Sequence, residues 1–416
     1  MTRGCIPSKM ILYPAEVVNN IKRSAQFGID SHIKDIDFTK IMEDMRSYVK
    51  EKSDGIKDSL IRSPRIDFYQ GNARFVKNNV LRVNGEDLKG ERIILCTGSR
   101  TLVPKIEGIE KTHYLTNKTF LELKKKPKSM IIIGGGFIAA EYGYFMAMMG
   151  TEVHMVSRSS RLIQQADPEI SRVLEEKLSK HMKIYKGYEV KRMGEKDEKK
   201  AILAVDKNGN NLKLVGEEIL LAAGRRSNSD ILQPEKSDVE VDEKGWIKVN
   251  KYLETTNPNI WALGDATGKH MFKHVANHES RVVFNNAFSK GEKISVDYHA
   301  VPYAVFTDPE VASVGMTEEE AGKRTDISVG KAMYTDTAKG QAMKAEDCFV
   351  KVIVESSTHR ILGAHIIGPH ASILIQEIVN LMYTKDMSAG PIYWGMHIHP
   401  ALSEVVERAF GNLHEH

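Results

Sequence analysis

The stretch SMIIIGGGFIAAE, residues 129–141, decides how the centre of this chain folds. Residues 129–133 form a short apolar run, which is typical of a strand buried in a parallel sheet. Three glycines follow at once, and small and apolar residues then continue through Met149, which predicts a helix. The stretch therefore predicts a strand, a glycine turn and a helix, in that order.

The spacing of the small residues in this turn is typical of dinucleotide binding. Gly134 permits a tight turn, Gly136 lets the backbone approach a pyrophosphate, and Ala139 lets the helix pack closely on the strand. A second strand, predicted over residues 152–156, closes a βαβ unit. A glycine pattern alone is weak evidence, but between a strand and a helix it predicts a dinucleotide site.

The end of the second strand indicates which dinucleotide is bound. A carboxylate there would bond the ribose 2′-hydroxyl of NAD, but residues 157–161 read SRSSR. Arg158 and Arg161 can instead meet a 2′-phosphate, although both are also ordinary surface residues. We therefore expect NADP(H) in preference to NAD(H), with Phe137 and Ile138 at the start of the helix contributing to the site.

Length and composition fit a folded protein of several domains. The 416 residues are 41% hydrophobic and 27% charged, and the net charge of +4 is too small to indicate a nucleic-acid partner. The stretch 130–150 is as long as a membrane span, but its three consecutive glycines and Glu141 argue against one. Three widely spaced cysteines, Cys5, Cys96 and Cys348, fit a reducing compartment, so we expect a cytoplasmic protein.

Two segments of the chain resemble each other. Residues 84–100 and 208–226 each contain a hairpin turn, then an apolar strand, and then a glycine, Gly98 or Gly224, where the backbone runs close to another group. Gly224 lies 88 residues after Gly136, so a matching turn for the first segment would fall at about position 10, and none is present there. Either the first unit has no such turn, or its opening βαβ portion lies upstream.

Seven motifs occur in the order seen in the flavin-dependent pyridine nucleotide disulfide oxidoreductases. They are GCIPSK at 4–9, a strand ending in TGS at 97–99, GGGFIAAE at 134–141, AGR at 223–225, ALGDA at 262–266, FTDPE at 306–310 and HIHPALSE at 397–404. The chain resembles this family from end to end, and most of all its dihydrolipoyl dehydrogenases and mycothione reductases. The resemblance implies an α/β fold with two related Rossmann-like domains, for FAD and NAD(P), and an α+β C-terminal dimerisation domain.

The resemblance also implies domain boundaries. Residues 1–117 would be the remainder of the FAD domain, 118–235 the NAD(P) domain, 236–297 a return to the FAD domain, and 298–416 the dimerisation domain. In the family, a first cysteine stands before four residues and the sequence Cys-x-Pro-x-Lys, and residues 1–4 are those four here. We therefore expect an incomplete chain, with the partner cysteine and the first βαβ unit of the FAD domain upstream.

The resemblance assigns the catalytic roles. Cys5 is similar to the cysteine that faces the flavin, Lys9 to the lysine beside the flavin ring, and Glu141 to the carboxylate that pairs with this lysine. His399 precedes Glu404 by five residues, a spacing that lets the carboxylate orient the imidazole. His399 would be the group that deprotonates a dithiol or protonates a leaving thiolate, with Glu404 as its partner, acting in a homodimer at the flavin site of the other subunit.

The remaining site residues also follow from the resemblance. Phe137 occupies the place of an aromatic side chain, often tyrosine, that covers the nicotinamide pocket. His274 and His278 are four residues apart, but no third ligand is evident, so we predict no metal. The resemblance implies that this segment is a helix beneath the flavin. The implied cofactor-binding residues are Gly98, Ser99, Gly264, Asp265 and His274 for FAD, and Gly134, Gly136, Phe137, Ile138, Arg158, Arg161 and Gly224 for NAD(P).

The resemblance predicts an oxidoreductase that uses FAD and NAD(P) to act on a small disulfide or dithiol. Three functions stay open: a dihydrolipoyl dehydrogenase-like enzyme, an NADPH-dependent reductase of a low-molecular-weight disulfide similar to mycothione reductase, and an incomplete chain that only dimerises. A mercuric reductase is disfavoured because no cysteine lies near the C-terminus. No nucleic-acid or membrane partner is expected.

Overall fold

The computed structural model describes residues 2–197 and 199–415. The helices are α1 (Cys5–Arg23), α2 (Phe38–Arg62), α3 (Phe137–Met148), α4 (Pro168–Leu178), α5 (Ser229–Leu232), α6 (Lys273–Phe288), α7 (Glu318–Gly322), α8 (Ala338–Ala342), α9 (Ala371–Met382), α10 (Gly390–Trp394) and α11 (Ser403–Gly411). The strands are β1 (Arg74–Lys77), β2 (Val80–Val83), β3 (Glu86–Lys89), β4 (Ile93–Leu95), β5 (Ser99–Thr101), β6 (Ser129–Ile133), β7 (Glu152–Ser157), β8 (Lys183–Lys186), β9 (Tyr188–Lys196), β10 (Lys199–Asp206), β11 (Asn211–Gly216), β12 (Glu218–Leu221), β13 (Arg225–Ser227), β14 (Ile260–Ala262), β15 (Tyr303–Val305), β16 (Val311–Gly315), β17 (Ile327–Met333), β18 (Phe349–Glu355), β19 (Ile361–Ile367) and β20 (Leu413–Glu415).

The chain divides into two compact units. Unit 1 comprises Met1–Ser47, Pro104–Ala223 and His299–His416, and unit 2 comprises Tyr48–Val103 and Gly224–Tyr298. None of the helices in residues 2–197 and 199–415 combines the length and apolar character that a membrane span requires.

A parallel sheet in unit 1 contains the predicted βαβ unit. Its strand order is β12-β6-β7-β8, and α3 connects β6 to β7. The first glycine of the turn, Gly134, has φ +139°, and a Cβ there would lie 2.2 Å from the carbonyl oxygen of Ala222, so only glycine fits. The predicted strand and helix are confirmed. The helix ends at Met148, one residue early, because Gly150 with φ +87° turns the chain.

Both predicted hairpins are present. β2 and β3 pair around Asn84 and Gly85, whose φ values of 52° and 94° are those of a two-residue hairpin turn, and β10 pairs with β11 in the other segment. Each hairpin leads into a short parallel strand, β4 in unit 2 and β12 in unit 1. One prediction was wrong: the strand before TGS ends at Leu95, because the chain turns at Gly98 (φ +66°) and Ser99 begins β5.

The C-terminal part of unit 1 is a six-stranded antiparallel sheet. Its order is β15-β16-β19-β18-β17-β20. Helices α9 and α11 supply Ile378 and Phe410 to a core that also contains Val352 and Ile366 from the sheet. Both β19 and α9 are rich in apolar residues, which places them in this core.

Candidate active site

Cys5 is the first residue of α1 and is exposed. The backbone N–H of Ser8 donates to the carbonyl of Gly4 at 3.2 Å, and the Ser8 hydroxyl donates to the carbonyl of Cys5 at 3.2 Å. These bonds hold the sulfur-bearing residue at the positive end of the helix dipole, the end at which anions are stabilised.

Lys9 and Glu141 form an ion pair that joins α1 to α3. The ammonium nitrogen lies 2.8 and 2.9 Å from the two carboxylate oxygens, and Glu141 is only 6% exposed. The ammonium also donates to Ser8 at 3.2 Å and lies 4.3 Å from the centre of the Phe306 ring. The backbone N–H of Phe306 donates to Glu141 at 3.1 Å, so the buried carboxylate is fully engaged.

The glycine turn before α3 has the shape of a phosphate cradle. A Cβ on Gly135 would lie 2.5 Å from the Ser157 hydroxyl, whereas a Cβ on Gly136 would meet nothing within 4 Å. Gly136 therefore faces open space, directly before the N–H groups of the first turn of a 12-residue helix. Phe137 and Ile138, both partly exposed, begin that helix. These residues fit a pyrophosphate.

The end of β7 carries positive charge. Arg158 is exposed and Arg161 is partly exposed, and in the described part of the chain neither forms a salt bridge. The strand ends at the buried Ser157, whose hydroxyl accepts from the N–H of Ser159 at 3.2 Å. Two cations at this position can bind a phosphate group.

A second polar cluster lies in unit 2. The Ser99 hydroxyl donates to Asp265 at 2.6 Å, and the Arg225 guanidinium donates to the hydroxyl and carbonyl oxygens of Ser99 at 2.6 and 2.7 Å. Gly98 and Gly264 both have left-handed φ values, +66° and +67°. The cluster therefore contains four of the five residues predicted to bind FAD, namely Gly98, Ser99, Gly264 and Asp265.

Two further observations in unit 2 bear on whether FAD fits. The hydroxyl oxygen of Thr97 is buried and has no hydrogen-bond partner, so a polar ligand would complete its bonding. The N–H of Gly264 donates to the buried carboxylate of Glu279 at 2.5 Å, which fixes the second glycine turn. The cluster fits a polar, hydroxyl-bearing group. Sequence analysis missed Arg225 as a partner of Ser99, and it missed Glu279, because neither contact has a local signal.

The other predicted residues of unit 2 lie at the surface or at a turn. His274 is exposed in the first turn of α6, with its ring stacked on Phe272 at 5.4 Å. The helix predicted for this segment is confirmed. Gly224 has φ +127°, and its carbonyl accepts from the N–H of Leu102 at 2.9 Å.

His399 and Glu404 form the predicted pair. The Nδ1 atom of His399 lies 2.8 Å from Glu404 Oε1, and Glu404 Oε2 accepts from the N–H of Ala401 at 3.0 Å. The hydrogen bond with His399 and that from Ala401 lower the pKa of Glu404. Because the carboxylate accepts, Nδ1 carries the proton, which leaves Nε2 as the basic atom.

The neighbouring histidine is in a different environment. His397 lies 3.2 Å from Glu377 and 3.8 Å from Glu407, and its side chain is 11% exposed, against 74% for His399. Among the described residues, no hydrogen bond, ion pair or ring contact joins His399 to Cys5 or to Lys9. No group of three His, Cys, Asp or Glu side chains in the described ranges is arranged to hold a metal ion.

Comparison with known protein families identifies the family of this chain. Residues 1–280 match the pyridine nucleotide-disulphide oxidoreductase family, and residues 301–410 match the dimerisation domain of the same family. The chain belongs to the pyridine nucleotide-disulphide oxidoreductases. Enzymes of this family use FAD and NAD(P)H to act on sulfur groups. The predicted family, fold class and cofactors are confirmed.

Individual relatives cover nearly the whole chain. The mycothione reductase of Mycobacterium tuberculosis is 35% identical over 431 residues, which span 99% of this chain and 91% of the relative. The dihydrolipoyl dehydrogenase of Chlamydia muridarum is 34% identical over 97% of this chain and 87% of its own length. The HOCl-induced flavoprotein disulfide reductase RclA from Escherichia coli superimposes with a TM-score of 0.86 at 28% identity, over 99% of this chain and 90% of RclA.

Proposed function

We propose that this oxidoreductase is an NADPH-dependent reductase of a small disulfide, and that it works as a homodimer in the cytoplasm. The observation that carries the proposal is the Lys9–Glu141 pair. It ties the helix that begins with Cys5 to the helix that follows the phosphate-binding turn. The free state of all three cysteines supports a reducing compartment.

The cofactor-binding residues are proposed from the resemblance, and the glycine turns and polar clusters within each unit support them. Gly98, Ser99, Gly264, Asp265 and His274 would hold FAD, whose chemistry is two-electron transfer between nicotinamide and thiols. The residues that would hold NADPH are Gly134, Gly136, Phe137, Ile138, Arg158, Arg161 and Gly224. Cys5 would supply one thiol of the redox pair, and Lys9 with Glu141 would fix the position of its helix.

His399 would handle the proton that disulfide reduction consumes. Its Nε2 atom would take up a proton and deliver it to the leaving thiolate, while Glu404 accepts from Nδ1–H and fixes the ring. Trp394, Met396 and Ile398 precede His399 on the surface and are 89%, 103% and 77% exposed. An apolar surface of this kind, within the matched dimerisation domain, supports a homodimer in which His399 is covered.

We also propose the domain division 1–117, 118–235, 236–297 and 298–416. The two family matches, which end at residue 280 and begin at residue 301, support its last boundary. A second candidate function is oxidation of a dithiol, as in dihydrolipoyl dehydrogenase. It is supported by a similar degree of identity to that relative, and the His399–Glu404 pair can serve either direction.

The test is a comparison of NADPH and NADH oxidation with two substrates, mycothiol disulfide and lipoamide. We expect faster turnover with NADPH and the disulfide. In the double variant Arg158→Ala/Arg161→Ala, KM for NADPH should rise by about 10- to 100-fold, the value of one or two charge-assisted bonds, and KM for NADH should stay within about twofold. Arg172→Ala, an exposed arginine in α4 paired with Glu176, is the matched control.

Each contrary result has a clear meaning. Turnover that is as fast with NADH as with NADPH would overturn the proposed cofactor preference. Reaction with lipoamide alone would favour the second candidate, and absence of disulfide reduction by the intact chain would leave only a dimerising role.

A further inference from the structure

Tyr303, in the six-stranded antiparallel sheet, contacts Phe137, the first residue of α3. Its ring packs edge-to-face on Phe137, with 5.4 Å between the ring centres and an angle of 87° between the planes. Tyr303 begins β15, the edge strand of the antiparallel sheet, and Phe306 follows the end of the same strand against Lys9 and Glu141. One short segment therefore contacts both Phe137 and the buried ion pair.

Phe137 lies where the dinucleotide site, as proposed above, would turn toward the reacting end of NADPH. It follows the glycine turn directly, and Glu141 lies one helical turn further on the same face of α3. The arginines at the end of β7 would take the adenosine half of the nucleotide. The nicotinamide half therefore belongs on the side of Phe137 and Glu141, and this inference rests on the proposed function.

The Tyr303 ring is held in place through its hydroxyl group. The hydroxyl donates to the backbone carbonyl of Gln165 at 3.4 Å, and Ser313 lies opposite Tyr303 in the neighbouring strand β16. Burial raises the pKa of Tyr303 to about 12, so the phenol stays protonated.

Ser313 is itself fixed by a buried histidine. The Ser313 hydroxyl lies 3.0 Å from Nδ1 of His365, and Nε2 of His365 lies 3.0 Å from the carbonyl of Met316. Burial lowers the pKa of His365, so the ring is neutral, with Nε2–H donating to Met316 and Nδ1 accepting from Ser313. Ser313, the strand partner of Tyr303, is therefore held in one position by buried hydrogen bonds.

We propose that Tyr303 is a positioning residue that holds Phe137 over the nicotinamide position, so that NADPH must separate the two rings to bind. An edge-to-face aromatic pair contributes enough to change a dissociation constant by about 2- to 10-fold. The contact opposes entry of the nicotinamide half and leaves the adenosine half unaffected. The Tyr303–Phe137 contact thereby determines the fraction of molecules in which the nicotinamide position is accessible.

The test measures dissociation constants of NADP⁺ and of 2′-phospho-ADP-ribose, which lacks the nicotinamide ring, by calorimetry on the intact protein. We expect Tyr303→Leu to bind NADP⁺ about 2- to 10-fold more tightly and to bind 2′-phospho-ADP-ribose with unchanged affinity. Phe137→Leu should behave in the same way, and the double variant should show no further gain. Tyr303→Phe keeps the ring and loses the hydroxyl, so it should show a smaller gain.

Other outcomes separate this inference from the proposed function. Unchanged NADP⁺ binding by Tyr303→Leu, together with tighter binding by Phe137→Leu, would overturn the role of Tyr303 alone. Weaker binding of both ligands by Tyr303→Leu and Tyr303→Phe would show a purely structural role and would also overturn it. Failure of the wild-type protein to bind 2′-phospho-ADP-ribose would overturn the proposed NADPH site, and the inference with it.

Discussion

Unit 1 contains two pairs of a basic side chain and a glutamate, Lys9–Glu141 and His399–Glu404, and they differ in sequence separation and in exposure. Lys9 and Glu141 are 132 residues apart and meet only because α1 packs on α3, and Glu141 is 6% exposed. His399 and Glu404 are five residues apart, and the histidine side chain is 74% exposed. The first pair is a product of tertiary packing, whereas the second is a local motif presented to solvent.

The difference teaches what each pair contributes. A desolvated carboxylate that loses its cation is costly, so Lys9–Glu141 contributes to stability as well as to the position of α1. The His399–Glu404 pair contributes less to stability, because water screens the exposed histidine. We therefore propose that His399–Glu404 serves proton transfer, and its exposed ring is the part that a second subunit would cover in the proposed homodimer.

The largest expected effect is on catalysis by the exposed pair. His399→Gln should lower kcat for disulfide reduction by about 10²- to 10⁴-fold, because general acid–base catalysis is lost, without a change in the free energy of unfolding. Steady-state kinetics and urea unfolding check the two parts. His397→Gln is the matched control, and an equal loss of kcat in that variant would show that the roles of the two histidines were assigned wrongly.

The next effect is on stability through the buried pair. Lys9→Met should lower the free energy of unfolding by about 2–3 kcal/mol, somewhat below the value for a fully buried pair because Lys9 is partly exposed. Urea unfolding of the intact chain measures this loss in the free energy of unfolding. The double variant Lys9→Met/Glu141→Leu should recover part of the loss, because no buried charge then remains.

A surface pair provides the reference for that loss. Lys40 and Asp44 are both well exposed, so Lys40→Met should leave the free energy of unfolding almost unchanged. Equal effects of Lys9→Met and Lys40→Met would remove the distinction between the buried and the exposed pair.

The smallest effect concerns the pH dependence of the exposed pair. The pKa of Glu404 in the folded chain is lowered from 4.5, so the stability that this carboxylate contributes is present above pH 4.5 and is lost as the pH falls through the lower folded-state value. Unfolding midpoints measured from pH 7 down to about pH 3 should therefore converge for the wild-type protein and Glu404→Gln at the acid end. A difference that grows toward acid pH would contradict this assignment.

Much of the fold could be predicted because its signals are local. The apolar run 129–133, the glycines after it and the paired hairpins each specify their backbone within a few residues. The strand before TGS was predicted too long, because an apolar run shows where a strand lies but not where a turn such as that at Gly98 interrupts it. The His399–Glu404 pair was also predictable, since both residues belong to one short motif.

By itself, the sequence determined the βαβ unit, the hairpins and the family to which the chain belongs. Only the tertiary structure decided that Phe137 packs on Tyr303, that Glu279 fixes Gly264, and that Phe306 completes the bonding of Glu141. The physical reason is that periodicity and turn chemistry act between neighbours in the chain. Contacts between distant residues arise only when whole helices and sheets pack to exclude water.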